Sequence, residues 1–362
     1  MKIALVAPTL EVLGGHGIQA RALSLGLRSE GYEVQLVPIN PHVPAGLRWL
    51  RRHRYARTVV NQACYLPTLL KVRQADVVHI FSASYWSFVL APLPAILVAH
   101  GLGKRVVLHY HSGEAADHLA RWGPLVHPWL RLADEIVVPS EYLQAVFARH
   151  GYRACVIHNI VDTSQFVYRE RRALRPRLLS TRNLEPYYRV DNTLRAFVRV
   201  RERYPDATLS IAGSGSQEGP LRRLAATLGA RGIQFVGRTE PEAMPRLHDE
   251  ADIFVNSSVV DNQPVSVLEA FAAGLPVVST STGDLAALVR DGETGVTVPP
   301  GDPDAMASAV VRLLENHAWA AAISRRARHE VERYTWPHVR QEWGAVYAGN
   351  GHARAALSQP QA

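Results

Sequence analysis

The sequence predicts an α/β fold with two Rossmann-like domains whose parallel sheets face each other across a cleft. Three observations lead to this prediction. The chain has 362 residues, enough for roughly two domains of about 150 residues. Its composition, with 47% hydrophobic and 20% charged residues, is that of a globular protein. Apolar runs rich in Val and Ile alternate with helical patterns and the alternation restarts once, which indicates two parallel sheets covered on both faces.

The first predicted domain covers residues 1–168. An apolar strand leads through a glycine-containing loop into an amphipathic helix, which ends at Gly31. Further apolar segments continue the alternation to residue 160. The predicted strands are KIALVAP (2–8), YEVQLVPI (32–39), ADVVHIF (75–81), KRVVLHYH (104–111), EIVVPS (135–140) and CVIHNI (155–160).

The second predicted domain covers residues 176–335 and follows RERRALRPR (169–177), a charged segment that we interpret as a linker. A closing helix is predicted over 336–348, and the end of the chain, 349–362, is predicted to be disordered. The predicted strands of this domain are RLLSTRN (177–183), ATLSIAGSG (207–215), IQFVGRT (233–239), ADIFVNSS (251–258), PVVSTST (276–282) and TGVTVPP (294–300).

Cysteine usage and hydropathy indicate a protein of the reducing cytoplasm. Cys64 and Cys155 are the only cysteines, and their spacing is typical of neither a disulfide framework nor a zinc site. The short apolar start runs directly into a strand–loop–helix pattern, so it predicts a buried strand rather than a signal peptide. Residues 80–99 are long and apolar, but they contain two prolines and predict a pair of buried helices rather than a membrane span.

The formal net charge of +8 is concentrated in RWLRRHRYAR (48–57), which holds five arginines and one histidine. Two interpretations remain open. The segment is either a solvated helix face or a patch for anionic lipid headgroups, because Trp49, Leu50 and Tyr55 interleave apolar anchors with the charge. A nucleic-acid partner is disfavoured because no recognition motif accompanies the patch. The second interpretation predicts a protein bound peripherally to the inner face of the plasma membrane.

Two glycine loops lie between a predicted strand and a helix, where backbone amides can bind phosphate. Gly14 and Gly15 precede the first helix, and Gly213 and Gly215 follow a strand of the second domain. The motif GHGIQA (15–20) matches the dinucleotide fingerprint, yet a loop separates it from the strand and no acid ends the second strand. These departures disfavour a dehydrogenase, and a simple tight turn remains the alternative.

The segment DNQPVSVLEA (261–270) raises the question of what its two acids do. Pro264 suits the first position of a helix, whose first-turn amides, including those of Val267 and Leu268, would then be available for an anion. At about 1.5 Å per residue, Glu269 lies roughly 7 Å along that helix. Asp261 and Glu269 are therefore predicted to hold different parts of one elongated ligand rather than to share a proton. The alternative is a pair of ordinary acids flanking a helix.

Residues 261–302 resemble the signature region of the retaining glycosyltransferases of family 4, which have the GT-B fold. The family pattern is E-x7-E, followed by A-x-G-x-P-V-V, a glycine-rich loop and D-G-x-T-G-x-L-V-P-P-G-D. The similarity extends over nearly the whole chain and is strong from 178 to 304. It also includes GGHGIQARALSLGLRSEGYEV (14–34), HNIVDTSQF (158–166), STRNLEPYYRVDNTLRAF (180–197) and LSIAGSGSQEGPLRRLAATLG (209–229).

The resemblance implies a role for each matched residue. Glu269 would hydrogen-bond the ribose of the donor and Asp261 its sugar hydroxyls, while Arg182 would neutralise the diphosphate. His111 falls where the family has a histidine facing the donor sugar. His109, two residues earlier, is expected to point the other way.

Further matches and departures concern the rest of the donor. The nucleotide base would lie near Gly237. Three positions depart from the family: the first acid is Asp, the phosphate-binding lysine is Tyr187, and the G-G-x-P-E element reads TGDLAA. Arg189 is the cation nearest to the missing lysine, and it could replace it with a bidentate guanidinium.

The function implied is transfer of a sugar, with retention, from a nucleotide-sugar donor to a glycan or lipid-linked acceptor in cell-envelope or polysaccharide synthesis. Such chemistry needs positioning and charge stabilisation, and we assign no nucleophile. This chemistry requires no metal or other cofactor, and none is expected. The D-x-D sequence DPD (302–304) is not interpreted as a metal site, because Asp302 is predicted to cap a helix. A sugar-nucleotide 2-epimerase of the same fold and a non-catalytic glycan binder remain alternatives.

Overall fold

The computed structural model describes residues 1–9 and 14–351. Part of the predicted loop before the first helix (10–13) and most of the predicted disordered tail (352–362) lie outside the described residues. The chain forms two compact units: Met1–His158 together with the chain from Val339 on, and Asn159–His338. The first unit thus ends ten residues before the predicted boundary at 168.

The first unit contains a six-stranded parallel sheet in the order β2-β1-β3-β4-β5-β6. Its strands are β1 Lys2–Ala7, β2 Glu33–Pro38, β3 Val77–Ser82, β4 Arg105–Tyr110, β5 Glu135–Val138 and β6 Cys155–Val156. Its helices are α1 Gly15–Ser29, α2 Arg54–Thr68, α3 Trp86–Leu90, α4 Pro92–Gly101, α5 Ala115–Arg121, α6 Gly123–Leu130 and α7 Glu141–Arg149, with 3₁₀ helices at Ala45–Arg52 and Leu69–Gln74.

The second unit contains a parallel sheet in the order β12-β11-β10-β7-β8-β9. Its strands are β7 Arg177–Thr181, β8 Thr208–Ala212, β9 Ile233–Gly237, β10 Ile253–Asn256, β11 Val277–Thr280 and β12 Val296–Val298. Its helices are α8 Val190–Arg203, α9 Glu218–Thr227, α10 Met244–Glu250, α11 Val265–Ala272, α12 Leu285–Leu288, α13 Pro303–Glu315 and α14 His317–Glu330, with 3₁₀ helices at Thr163–Gln165, Pro186–Tyr188, Pro241–Ala243 and Val331–Tyr334. The helix α15 Trp336–Tyr347 follows.

The two predicted parallel sheets are confirmed, and the reason is visible in the burial of their strands. Val77–Ser82 is buried at every position, as expected for a strand covered on both faces. In the second unit, the buried residues form one apolar cluster around Leu194 and Phe197 and another around Phe254 and Phe271. The predicted pair of helices within 80–99 is also confirmed, as α3 and α4. Among the described residues, none of the helices combines the length and apolarity needed to cross a bilayer.

The strand order determines where a ligand can bind in each sheet. In the first unit the order reverses between β1 and β3, and in the second between β7 and β10, because these neighbours are not consecutive in sequence. The connections that follow them leave toward opposite faces and open a crevice at the carboxyl ends of the strands. Residues directly after β7 and β10 are therefore the first candidates for a site.

The segment 169–177, interpreted from its composition as a linker, is tied to the second unit by four of its arginines. Arg171 is buried and donates hydrogen bonds to the carbonyls of Ala251 (2.9 Å), Ala273 (2.6 Å) and His248 (2.7 Å). These carbonyls need a donor, since an unpaired buried carbonyl is costly. A charged, proline-containing composition is typical of linkers, and only the fold supplies acceptors for its side chains.

Asp252 holds this segment in place from the start of β10. Its carboxylate is fully buried and lies 2.9 Å from Nε of Arg177 and 3.2 Å from Nε of Arg175. Arg169 and Arg171 approach it at 3.4 and 3.6 Å. A carboxylate inside a protein is tolerated only when cations and hydrogen-bond donors surround it, and these arginines meet that need.

We expect Asp252→Ala to lower the free energy of unfolding by about 3–5 kcal/mol, because it leaves the buried Arg171 and the half-buried Arg177 without their counter-charge. The control is Asp249→Ala, which removes an exposed partner of Arg169 at 3.0 Å and should cost no more than about 1 kcal/mol. Guanidinium unfolding of both variants measures the difference. Equal losses would contradict the role assigned to Asp252.

Candidate active site

Arg182 and Asp261 meet at the switch point of the second sheet. Arg182 directly follows β7, and Asp261 lies in the loop that follows its neighbour β10. Nη2 of Arg182 lies 2.5 Å from Oδ2 of Asp261, and the two side chains are only 9% and 7% exposed. The sequence predicted both residues for a donor site, and the fold brings them into direct contact.

Two further groups hold the Arg182 guanidinium. Its Nη1 donates a hydrogen bond to Oγ of Ser266 at 3.0 Å, and the guanidinium lies 4.1 Å from the ring centre of Tyr188, a cation–π distance. The sequence analysis gave the side chain of Ser266 no role and did not identify Tyr188. No sequence signal indicates the tyrosine, because its contact depends on how the loop after β7 folds.

Helix α11 begins one residue later than predicted. Pro264 is the N-cap residue, with an extended backbone, and Val265 is the first helical residue. The amides of Val267 and Leu268 donate to the Pro264 carbonyl at 3.0 and 3.4 Å. The first-turn amides without a backbone acceptor among the described residues are therefore those of Val265 and Ser266, and these carry the partial positive charge of the helix start.

Gln263 and Asn159 lock the loop before this helix, and sequence reasoning missed both. Gln263 is buried with φ of 43°, a left-handed conformation that non-glycine residues seldom adopt. The amide of Asn159 donates to Oε1 of Gln263 at 2.5 Å, and Nδ2 of Asn159 donates to the Gln263 carbonyl at 2.8 Å. A conformation of this kind persists when its surroundings enforce it, and it is common next to functional sites.

Glu269 lies further along α11 and is half-buried. Burial raises the pKa of its carboxyl to about 8, and the charge of Arg182 acts in the opposite direction. At pH 7 the group is therefore mostly protonated. A protonated carboxyl can donate one hydrogen bond and accept others, which suits contact with a diol such as a ribose.

The glycines of the second unit are required by close packing of backbone on backbone. Gly213 has φ of 145°, and a Cβ there would lie 2.0 Å from the Arg182 carbonyl oxygen. A Cβ at Gly215 would lie 2.4 Å from the carbonyl oxygen of Leu184. The Gly213 amide in turn donates to the Gly237 carbonyl at 2.8 Å. These glycines thus let the loop after β8 press against the loop that carries Arg182; direct contact with a donor stays a prediction for them.

Arg189, the predicted substitute for the family lysine, has a partner of its own. Its Nε and Nη2 lie 2.9 and 3.0 Å from the two carboxylate oxygens of Asp191. This bidentate pair occurs at the start of α8, where Arg189 adopts a left-handed backbone. Any contact of Arg189 with a phosphate would have to compete with Asp191. Tyr187, at the lysine position, is exposed.

In the first unit, His111 lies at the end of β4 within a group of imidazoles. The expectation that His109 points away from it is wrong, because residues i and i+2 of an extended chain lie on the same side. The two rings are 3.9 Å apart, centre to centre. Nδ1 of His109 lies 3.2 Å from Nε2 of His79, and the ring of His16, in the first turn of α1, is 5.2 Å from that of His111.

These four histidines are neutral near pH 7. Burial lowers the pKa of His16 to about 4 and that of His79 to about 3. Burial and the neighbouring imidazoles hold the pKa of His109 and of His111 well below 6.5. In the described part of the chain, no group of three or more His, Cys, Asp or Glu side chains is arranged to hold a metal ion.

The predicted phosphate loop of the first unit has room around it. Gly14 is the N-cap residue of α1 and Gly15 its first residue. A Cβ at either position would meet no atom within 4 Å. Packing therefore does not require glycine here, in contrast to Gly213 and Gly215.

Asp302 caps α13 through a hydrogen bond from the Ala305 amide at 2.8 Å, as predicted.

Comparison with known protein families agrees with this arrangement. Residues 13–165 match the model described as Glycosyltransferase Family 4, and residues 175–316 match the model described as Glycosyl transferases group 1. The chain is 32% identical over 308 residues to the glycogen synthase of Mycobacterium tuberculosis. This alignment covers 79% of this chain and 71% of that protein. The chain belongs to glycosyltransferase family 4.

A second relative covers more of the chain. The phosphatidyl-myo-inositol mannosyltransferase of Mycolicibacterium smegmatis is 26% identical over 96% of this chain and 93% of its own length. The protein is thus a nucleotide-sugar glycosyltransferase, and its relatives use different acceptors.

Solved structures share the fold. Anabaena HepE in complex with UDP-glucose superimposes with a TM-score of 0.75 at 18% identity, covering 96% of this chain and 99% of that one. Sucrose-phosphate synthase from Thermosynechococcus elongatus superimposes with a TM-score of 0.71 at 19% identity, covering 98% and 100%. The predicted GT-B fold is confirmed.

Stability should depend on pH through Glu269. Its pKa is about 8 in the folded chain against an ordinary value of 4.5, so the folded state binds more protons between these values. The free energy of unfolding contributed by this group therefore falls as pH rises from 4.5 to 8. We expect Glu269→Gln to remove this contribution. Denaturant unfolding of the wild type and the variant is measured across this pH range, and the difference between their free energies of unfolding removes the contribution of the histidines. A difference that does not change with pH would contradict the prediction.

Proposed function

We propose that this glycosyltransferase transfers a sugar, with retention of anomeric configuration, from a nucleoside diphosphate sugar to a glycan or lipid-linked acceptor of the cell envelope or of a polysaccharide. The observation that carries the proposal is the buried Arg182 at the switch point of the second sheet, beside the amino end of α11. A guanidinium next to two helix amides that lack a backbone acceptor among the described residues matches the charge and oxygen geometry of a diphosphate.

The donor lies along the second unit in this proposal. Arg182 and the amides of Val265 and Ser266 take the diphosphate, Asp261 takes the sugar hydroxyls and Glu269 the ribose. Gly237, with φ of 81° at the end of β9, lies at the base. Because Arg182 is paired with Asp261 at 2.5 Å, donor binding requires Arg182 to exchange this partner for phosphate oxygens, which frees Asp261 for the sugar.

The chemistry requires charge stabilisation where the bond breaks. As the bond between the anomeric carbon and the diphosphate oxygen cleaves, negative charge grows on the leaving diphosphate, and Arg182 with the α11 amides stabilises it. The acceptor hydroxyl then bonds to the anomeric carbon on the face that the diphosphate leaves, and its proton passes to the leaving group. The role of His111 as the histidine that faces the donor sugar stays a prediction from the family resemblance.

The test is nucleoside diphosphate binding, measured by isothermal titration with UDP, GDP and ADP. At least one should bind the wild-type protein, and Arg182→Ala should weaken that binding by about 10- to 100-fold, since hydrogen bonds to charged groups contribute about 1.5–3 kcal/mol. Because this substitution leaves Asp261 unpaired, Arg182→Ala/Asp261→Asn serves as a second variant that restores charge balance.

Two comparisons sharpen the result. Arg199→Ala, an exposed arginine on α8, should leave the affinity unchanged. Arg189→Ala should have a smaller effect than Arg182→Ala because Asp191 already holds Arg189. Absence of binding to all three diphosphates would refute the proposed donor. A screen of donors by released diphosphate, with candidate lipid and glycan acceptors, then identifies the sugar.

We also propose that the enzyme is cytoplasmic and binds the anionic inner face of the plasma membrane through residues 48–57 and their continuation on α2. Trp49 and Tyr55 are exposed; the side chains of Arg48, Arg51 and Arg54 lie outside the described part. Exposed apolar residues continue at Val59, Leu66 and Leu70, and with Tyr55 their spacing of four, seven and four residues follows one helix face.

Charge supports the same assignment. No Asp or Glu occurs between Glu33 and Asp76, whereas this stretch contains six arginines and one lysine. An exposed apolar stripe among cations is typical of helices that lie in the headgroup region of anionic bilayers. Each arginine near such a surface contributes about 1 kcal/mol of attraction.

Vesicle sedimentation measures this association. The wild-type protein should sediment with vesicles of phosphatidylcholine and phosphatidylglycerol more than with phosphatidylcholine alone. Val59→Glu/Leu66→Glu should abolish sedimentation, because it places carboxylates on the inserting face. Val167→Glu, at an exposed apolar residue of the second unit, is the matched control and should sediment like the wild type. Unchanged sedimentation of the double variant would refute the membrane surface.

A further inference from the structure

A second apolar surface lies at the carboxyl ends of β3 and β4 and is defined here as the aromatic cluster: the exposed Trp86 together with the half-buried Tyr85 and Trp122. Trp86 begins α3 and is 66% exposed, and Trp122 follows α5. The two indole rings are 5.3 Å apart and perpendicular, and the ring of Tyr85 is 5.7 Å from that of Trp122. An exposed indole flanked by two half-buried aromatic rings presents a rigid, largely apolar surface on which a ligand can stack.

The turn that carries this cluster has a strained backbone that side-chain hydrogen bonds hold in place. Tyr85 has φ of 55° and ψ of −132°, a conformation that costs about 1–3 kcal/mol for a residue with a side chain. Its hydroxyl donates to Oδ2 of Asp117 at 2.6 Å, which ties the turn to α5. Beneath it, the Tyr110 hydroxyl lies 2.8 Å from Oγ of Ser84.

A buried histidine completes the support of the aromatic cluster. Nδ1 of His118 lies 2.7 Å from the Tyr110 hydroxyl, whereas Nε2 is buried and has no partner among the described residues. The His118 ring lies 5.1 Å from that of Tyr85 and 6.1 Å from that of Trp122. A buried polar atom without a partner among the described residues, beside rings that are only half-buried, is more typical of ligand sites than of packed cores.

Charge distinguishes this surface from the basic stripe on α2. Residues 110–125 contain two acids, Glu114 and Asp117, and one arginine, Arg121, which pairs with Asp117 at 2.7 Å. With His118 neutral, since burial lowers its pKa to about 4, the surface is slightly negative. It therefore disfavours phosphate groups and anionic lipid headgroups.

We propose that the aromatic cluster is a subsite for a neutral sugar ring of the acceptor. The apolar C–H face of the ring stacks on the Trp86 indole, and its hydroxyl groups donate to the carboxylates of Glu114 and Asp117. Aromatic surface combined with a few polar groups is the general composition of small-molecule sites, and its position beside the β1–β3 switch point is where α/β sheets bind ligands. Naming the ring as part of the acceptor rests on the proposed function.

The experiment is saturation-transfer NMR on the full-length protein with maltohexaose and an α-1,6-linked mannotetraose as probes. At least one probe should show transfer with the wild-type protein. Trp86→Ala and Trp122→Phe should both reduce binding, and Trp86→Ala by about fivefold, as expected for loss of one aromatic contact. Trp49→Ala is the matched control: an equally exposed tryptophan of the same unit that should leave transfer unchanged.

Vesicle sedimentation of the same variants tests whether the sugar-binding and membrane-binding surfaces are separate. Trp49→Ala should weaken sedimentation with phosphatidylglycerol vesicles, whereas Trp86→Ala should not. The proposal is overturned if neither probe binds the wild-type protein, if Trp86→Ala binds them normally, or if Trp86→Ala loses vesicle binding. Nucleoside diphosphate titration of the wild-type protein separates the two hypotheses: normal diphosphate binding without oligosaccharide binding refutes the subsite alone, and absent diphosphate binding with normal oligosaccharide binding refutes the donor site alone.

Discussion

The ion pair of Arg182 and Asp261 depends on a single constraint of the fold, the pairing of β7 with β10. These strands are adjacent in the sheet although two other strands and their helices separate them in sequence. Because the strands are parallel, the residues that follow each of them emerge at the same edge. The rest of the candidate site is arranged around this point: α11 begins beside it, and Tyr188 lies against the guanidinium.

Two kinds of packing keep this arrangement rigid. Gly213 and Gly215 let one loop backbone touch another, so the loop that carries Arg182 cannot move away without losing contact. Gln263, in a left-handed conformation enforced by Asn159, fixes the approach to α11. At the other end of β7, Arg177 and the buried Asp252 join the segment before the strand to the sheet. One strand therefore carries an arginine at each end, one for stability and one in the candidate site.

The first unit presents two apolar surfaces of opposite charge. The stripe on α2 lies in a stretch without acids, whereas the aromatic cluster lies near Glu114 and Asp117. Electrostatics thus separates a surface suited to an anionic bilayer from one suited to an uncharged sugar. An enzyme that extends a glycan at a membrane would use both, and single tryptophan substitutions can distinguish them.

The sequence by itself determined the two α/β halves and most strand positions, because these features are local in periodicity. From a motif it also named Arg182, Asp261 and Glu269 as candidate site residues. Tertiary structure decided what periodicity cannot express. It showed that arginines of 169–177 surround Asp252, and that α11 starts at Val265. It also brought Tyr188 and Ser266 to Arg182, and committed Arg189 to Asp191. Each of these depends on contacts between residues distant in sequence or on loop geometry, and a burial-dependent property such as the raised pKa of Glu269 exists only once the chain has folded around the group.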